Sequence, residues 1–355
     1  MRSYAKFVSF CYLCKVKMKK SYTLAFVLLL LTVVVMFAVN LFFGSIHLDA
    51  AEVMGALLGR DGGSVTGFVV VQSRLPQAIT ALLCGAGLAV SGLMLQTIFH
   101  NPLADPSILG VNSGASLGVA FVMLVLGGSF AAANSTLSGF LLIVVAAFIG
   151  AICIIALLLL FARYVKGNIT LLIVGIMVSY LTSSVISLLN YSATEQGVHS
   201  YIVWGLGNFG GIGLKNMPMF AGSMLVCIAL SVTLIKPLNA LLLGSAYARN
   251  LGINIGRTRT TLLIVTGLIA AITTAFCGPI SFVGLAVPHM VRMVSRTANH
   301  RVLVPMTLLM GAAIGLLCNW LCALPSDGTT VPINVITPFF GVPVILYVLV
   351  RGRRS

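Results

Sequence analysis

Histidines, cysteines and acids are the residues of this 355-residue chain that could do covalent, metal or proton chemistry. Their spacing gives them little to do together. His47, His100, His199, His289 and His300 are scattered, with no HExxH pairing that would set two zinc ligands on one helix face. Cys11 and Cys14 form a CxxC in a basic segment, the spacing of a redox or metal pair, yet no second ligand pair follows. Cys318 and Cys322 stand one helical turn apart without a histidine or acid beside them. With Cys84, Cys153, Cys227 and Cys277 they read as packing residues. No GxxxxGKS or GxxxxGKT phosphate loop is present, so any ATP chemistry belongs to another chain. No catalytic residue and no metal ligand is assigned. What remains is polar but not ionisable. Ser179, Thr182, Ser183 and Ser187 fall mostly on one side of a helix, and Asn112, Ser113 and Ser116 open another. Such groups can line a watery pathway without gripping an ion, or bond back to their own helix carbonyls. The sequence leaves both open.

The elements that position these groups follow from composition. Hydrophobic residues make up 59% of the chain and charged ones 8%, against about 25% charged in a soluble domain. A water-facing globule is excluded. Lys and Arg number 21 against 6 acids, a net charge of +15. A nucleic-acid groove needs those cations clustered and interleaved with aromatics, and they are not. They fall between apolar runs instead. A membrane-crossing helix needs about 20 apolar residues, and runs at 22–44, 74–99, 107–128, 137–162, 169–190, 217–235, 259–277, 302–323 and 333–350 approach that. A further run, 282–294, is apolar but short. Charge decides how to count it. With ten spans and a cytoplasmic N-terminus, every cation except Arg60, Arg74 and Lys215 lies in the cytoplasm, and every acid except Asp105 lies outside. Nine spans would put the RGRRS tail on the wrong side. The expectation is an all-α, polytopic integral membrane protein with ten transmembrane helices and both termini cytoplasmic.

Residues 1–21 read as a basic cytoplasmic N-terminal segment, with Met18 a candidate start, and 22–355 as one transmembrane domain. The 22–44 run is too long for a removed signal peptide and lacks a small-residue cleavage pattern. The span interiors carry essentially no charge, which counts against an ion-coupled secondary transporter. Ala81, Gly85 and Ala89 repeat every four residues, a pattern that brings helix backbones together. The 45–73 connector is long and carries Arg60 and Asp61. Residues 191–216, with Trp204 among glycines, read as a re-entrant or interfacial helix. Segment 236–258 is too polar to span. It reads as two short helices broken near Gly244, with Leu241, Leu242, Leu243 and Leu251 apolar and Arg249 polar. It docks a soluble partner or rests on lipid headgroups.

Three stretches carry a resemblance. RLPQAITALLCGAGLAVSGLMLQTIFHNPLADPSILGVNSGASLG (74–118) resembles the signature of the ABC importer permeases for iron-siderophores, haem and vitamin B12. RNLGINIGRTRTTLLIVTGLIAAITTAFCGPISFVGLAVPHMVRMV (249–294) is similar to that family's coupling segment and GPIxFVGLxxPHxxR motif. VPINVITPFFGVPVILYVLVRGRR (331–354) resembles its final span. The resemblance covers about residues 22–354.

The resemblance implies a type II ABC importer permease architecture in a bacterial inner membrane, translocating an iron-chelate of the siderophore type. Cobalamin or haem is the alternative cargo. It implies pairing with a second permease subunit as a homodimer, two cytosolic ABC ATPase subunits that use ATP and Mg, and a periplasmic or lipid-anchored substrate-binding protein. The chain itself binds no cofactor. ATPase coupling falls on Ala240, Leu243, Gly244, Ala248, Arg249, Leu251 and Gly252, with Asn101, Asp105 and Pro106 of the NPLADP loop. Pro288, His289 and Arg292 match motif positions with a structural role. Arg74, joined by Arg60 and by Gln77 where the family has a second Arg, is the expected binding-protein contact. Asn112, Ser113, Ser179, Thr182, Ser183, Ser187 and the helix-breaking Pro338 are the expected pathway. Two further departures are Thr330 and Val331 before Pro332, where an acid and Leu are usual, and Asn319, where an acid is common.

Overall fold

The computed structural model describes residues 2–60, 64–125, 137–164, 168–324 and 330–352. Side chains through Ser21, with the Cys11–Cys14 pair, and Asp61 lie outside the described residues. All described secondary structure is helical. The elements are α1 (Arg2–Phe42), α2 (Ala50–Leu57), α3 (Val65–Phe68), α4 (Leu75–Phe99), α5 (Val111–Ala120), α6 (Leu137–Tyr164), α7 (Asn168–Ser192) and α8 (Glu195–Gly205). They continue as α9 (Met217–Thr233), α10 (Ile235–Leu242), α11 (Ser245–Asn250), α12 (Ile255–Cys277), α13 (Val283–Ser295), α14 (His300–Cys322) and α15 (Ile333–Gly352).

Among the described residues, six helices are long and apolar enough to cross a membrane: Tyr22–Phe42, Val65–Phe99, Gly139–Ala162, Thr170–Ser192, Ile255–Cys277 and His300–Cys322. The pair α9 and α10, bent by 46°, makes a seventh if taken as one span. Val111–Val125, Val283–Ser295 and Ile333–Val348 are apolar but shorter. Among the described residues each of the ten apolar runs falls largely on a helix, while length and composition alone yield six or seven crossings. Local backbone explains the short ones. Gly110, at φ 81°, delays the start of α5. Left-handed Phe282 (φ 69°) and Arg296 (φ 49°) bound α13 on either side.

The 45–73 stretch is not the plain connector expected. It folds α2 and α3, and a π-helical turn over Val69–Arg74 leads into α4. Pro76 at the start of α4 has no N–H for a carbonyl four residues back, and the wider turn carries the chain past it.

Helix α4 is the buried axis of the bundle. Small residues let its neighbours in. A β-carbon on Gly85 would collide with the Gly311 carbonyl of α14, and one on Gly315 with the Ala81 carbonyl. The Ala81, Gly85, Ala89 period is therefore the α4–α14 crossing. A second close pair joins α5 to α6, where Gly114 meets Gly150 and Gly118 meets the Ala146 carbonyl. Deeper polar links brace α1 against α14. Asn319 Nδ2 donates to Asn40 Oδ1 at 2.7 Å, and Asn40 Nδ2 donates to the Leu316 carbonyl at 3.0 Å. Apolar surroundings make such amide pairs worth keeping satisfied.

Candidate coupling and translocation site

The candidate coupling face is built at one end of the bundle. Helix α10 buries Leu238, Ala240 and Leu241 and exposes Leu242 and Leu243. Gly244, at φ 95°, turns the chain where a side chain would strain it. Helix α11 follows, and Gly252 (φ 78°) ends the segment. Ala248 is fully buried, whereas Leu243 is 64% exposed, Leu251 56% and Tyr247 50%. Arg249 is exposed beside them. The expected coupling residues therefore divide. Ala240 and Ala248 are buried toward the bundle and seat the segment. Leu243, Arg249 and Leu251, with Tyr247 and Leu242, form the free face. Tyr247 was not among the expected residues, though apolar residues every four positions, at 243, 247 and 251, were the available signal.

The NPLADP loop lies on the same side. His100, the left-handed C-cap of α4 (φ 48°), turns the chain into it. Asn101 Oδ1 accepts from Leu103 N at 2.9 Å. Asp105 and Pro106 are buried, and His100, Pro102 and Leu103 are exposed. Asp105 Oδ1 accepts from Ser107 N at 2.9 Å and Ser107 Oγ at 2.5 Å. Burial pushes the Asp105 carboxyl above its usual range, with the two Ser107 hydrogen bonds working against that. It packs on α13: a β-carbon at Gly284 would stand 2.6 Å from Asp105 Oδ2. Asp105 and Pro106 thus shape the loop from beneath.

Helix α13 fastens this loop. His289 Nε2 lies 2.8 Å from the Pro102 carbonyl. Arg292 Nη1 donates to Gln96 Oε1 at 2.6 Å, and Gln96 Nε2 donates to the Leu285 carbonyl at 3.2 Å. Pro288 sits buried inside the helix one residue before His289. Loop 100–106, α4 and α13 are one bonded unit.

The expected pathway stripe is split by the structure. On α7, Ser183 and Ser187 are exposed, Ser179 is half-buried and Thr182 is buried. Their hydroxyls bond back to the helix: Ser179 to the Gly175 carbonyl, Thr182 to Val178 and Ser187 to Ser183, each at 3.0 Å. Ser183 and Ser187 remain on an open face with Tyr180, Leu188 and Tyr191. Asn112 is buried, and its Oδ1 accepts from Thr274 Oγ1 at 3.1 Å, strutting α5 against α12. Ser113 beside it is half-buried. Pro338 sits half-buried in α15, whose Val335, Phe339, Val342, Leu346 and Val350 are exposed on one face.

At the opposite end, Arg60 is exposed after α2, but Arg74 is only 6% exposed. Arg74 Nη1 donates to the Leu41 and Phe42 carbonyls at 2.9 and 3.0 Å, and Nη2 to the Ile46 carbonyl. It caps the end of α1, where carbonyls have no helical partners. Arg74 as an outer contact for a binding protein is corrected accordingly: its donors are already engaged. Gln77 is half-buried on the rim of a 140 Å³ cavity lined also by Asn208, Asn319, Thr330 and Ile333. Asn334, at the start of α15, latches this end. Its Nδ2 donates to the Pro279 and Gly205 carbonyls at 2.5 and 3.2 Å. Tyr201 and Trp204 of α8 stack beside it, ring centroids 6.1 Å apart. No sequence signal singled out Asn334.

With this geometry in place, comparison with known proteins places it. A profile described as the FecCD transport family matches residues 29–351. The vitamin B12 import system permease protein BtuC of Escherichia coli O9:H4 (strain HS) is 34% identical over 285 residues, covering 80% of this chain and 84% of that protein. The protein of the same name from Klebsiella pneumoniae is 33% identical, covering 79% and 82%. A solved inward-facing structure assigned to the metal-chelate type of ABC transporter superposes with a TM-score of 0.79 at 29% identity, covering 92% of this chain and 98% of that one.

Proposed function

We propose, from the premise that the chain belongs to the FecCD transport family, that it is the membrane permease of an ATP-binding-cassette importer for a metal chelate. One observation carries the mechanism: an exposed apolar and cationic face, Leu243, Tyr247, Arg249 and Leu251, is held on a buried base of Leu238, Ala240, Leu241 and Ala248. That is the form of a surface that receives force from a soluble partner.

Two ATPase subunits seat on this face and on loop 100–106, and the ATP and Mg they use stay with them. The bundle reads as ten crossings, α5, α13 and α15 counting as the three short ones, with both termini cytoplasmic in a bacterial inner membrane. The cations outside the membrane gather on that side, which supports the orientation. A second copy of the chain pairs with the open faces of α7 and α15, and the pathway runs between them past Ser183 and Ser187. Force at α10 and α11 tilts these helices and moves the opening from one face to the other. A binding protein, periplasmic or lipid-anchored, delivers the cargo near exposed Arg60 and the rim at Gln77.

The cargo is a ferric siderophore, supported by the metal-chelate structural neighbour; a second reading, cobalamin, is favoured by the vitamin B12 permeases at 33–34% identity. Uptake of radio-iron ferric hydroxamate and radio-cobalt cobalamin by cells with and without the gene tests both. Loss of one uptake on deletion identifies the cargo. Uptake of both unchanged contradicts the proposal.

A further inference from the structure

We propose that Asn239 is the positioning residue through which movement of the α10–α11 segment reaches the α4–α14 helix pair. The inference rests on the coupling role given to that segment above, and concerns how force leaves it.

The argument starts at the first turn of α14. A helix begins with N–H groups that have no partner in the helix itself. Asn299 takes one of these, its Oδ1 accepting from Arg301 N at 3.0 Å. The His300 N–H is taken by a residue of another helix: Asn239 Oδ1, on α10, accepts it at 2.8 Å. The same oxygen lies 3.1 Å from His300 Nδ1, and Asn239 Nδ2 donates to Asn299 Oδ1 at 3.0 Å. One amide on the coupling helix thus closes the end of α14 by three hydrogen bonds.

The imidazole carries the link onward. With Asn239 Oδ1 as acceptor, Nδ1 bears the ring proton. Nε2 then accepts from Thr97 Oγ1 of α4 at 2.9 Å, sharing that hydroxyl with the Leu93 carbonyl 2.8 Å away. His300 is 1% exposed and Thr97 5%. Both side chains are out of reach of bulk water. A second strut runs parallel, His100 Nε2 lying 3.3 Å from the Leu241 carbonyl of α10.

What lies beyond is rigid. Helices α4 and α14 cross at Gly85, Gly311 and Gly315 so closely that no β-carbon fits. Their far ends are tied to α1, through Arg74 from α4 and through Asn319 from α14. A displacement of α10 taken up by Asn239 therefore moves a 23-residue helix end to end, about 35 Å at 1.5 Å per residue. Without Asn239, α10 rests on this pair by apolar contact and the His100 strut, and apolar contact lets helices slide.

The test uses the full permease reconstituted in proteoliposomes with its ATPase and binding protein, measuring ATP hydrolysis and uptake of radio-iron ferric hydroxamate and radio-cobalt cobalamin together. Asn239→Leu keeps the branched shape in a larger side chain and removes the acceptor; Asn239→Asp keeps the acceptor. For Asn239→Leu the expected result is ATP hydrolysis within about twofold of wild type and uptake per ATP reduced about tenfold. Asn239→Asp restores most of that ratio, and Thr97→Val lowers it in the same direction. An unchanged ratio in Asn239→Leu, or an equal loss in Asn239→Asp, overturns the proposal. Should Asn239→Leu fail to assemble, Thr97→Val decides, since Thr97 is buried away from the docking face; an unchanged ratio there overturns it. A wild-type complex that hydrolyses ATP and accumulates neither chelate overturns the import reading instead. Hydrogen exchange over 235–242 in the same proteins then judges Asn239: faster exchange in Asn239→Leu supports it, and unchanged exchange contradicts it.

Discussion

Arg292 of α13 donates to Gln96 of α4 at 2.6 Å, and Gln96 returns a hydrogen bond to the Leu285 carbonyl of α13. The two helices hold each other through one guanidinium and one amide. Replacing Gln96 by Leu leaves the guanidinium without its acceptor and costs about 2 kcal/mol. Thermal unfolding in detergent should show the loss. Arg292→Lys, which keeps the charge but not the guanidinium geometry, should fall between that variant and wild type.

The α4–α14 crossing allows no side chain at Gly85. Gly85→Ala must push the helices apart, at a cost of about 1–3 kcal/mol. Gly222, in α9, has open space where a β-carbon would go. Gly222→Ala should be neutral or stabilise by about 0.5–1 kcal/mol, since alanine is the better helix former. Melting temperatures of the two variants in one detergent make the comparison, and an equal effect would contradict the crossing.

Arg60 and Arg74 separate docking from folding. Arg74→Ala leaves two carbonyls at the end of α1 and the Ile46 carbonyl just beyond it without their donor and should lower the melting temperature, whatever the binding protein does. Arg60→Glu should leave the melting temperature unchanged and weaken binding-protein affinity severalfold, more at low salt than at high salt. Surface resonance at two ionic strengths reads the affinity. Unaltered affinity in Arg60→Glu removes Arg60 from the docking face.

Asp105 makes stability depend on pH. Burial raises its folded-state pKa above the unfolded value. Across the interval between the two, the folded chain holds a proton that the unfolded chain has released. Stability therefore falls as pH rises through that interval and is highest below the ordinary carboxylate range. Asp105→Asn should flatten this part of the melting-temperature profile and raise it at neutral pH. A profile unchanged by the substitution contradicts the assignment.

The apolar runs made the helices legible, because a helix that crosses lipid must be apolar along its length. The break at Gly244 was legible for the same local reason: only glycine turns there cheaply. Contacts between distant segments were not. Arg74 beside the outer charges looked like a docking residue, and nothing in the sequence says that its nearest acceptors are carbonyls at the end of α1. Ala81, Gly85 and Ala89 announced a close crossing without naming Gly311 and Gly315 as its other side. Asn239, Asn319 and Asn334 are ordinary asparagines until the fold brings each against a helix end or a second amide.

The central claim is that ATP hydrolysed by a partner drives cargo through this chain by way of the exposed face of α10 and α11. The most direct measurement is ATP-dependent accumulation of ferric hydroxamate or cobalamin in proteoliposomes, wild type against a Leu243→Asp, Leu251→Asp double variant that co-reconstitutes equally. The account predicts accumulation in the wild type that requires ATP and is abolished in the variant, with a melting temperature unchanged because both leucines are exposed. Equal accumulation by the two proteins, or accumulation that a protonophore stops and ATP does not support, would contradict it.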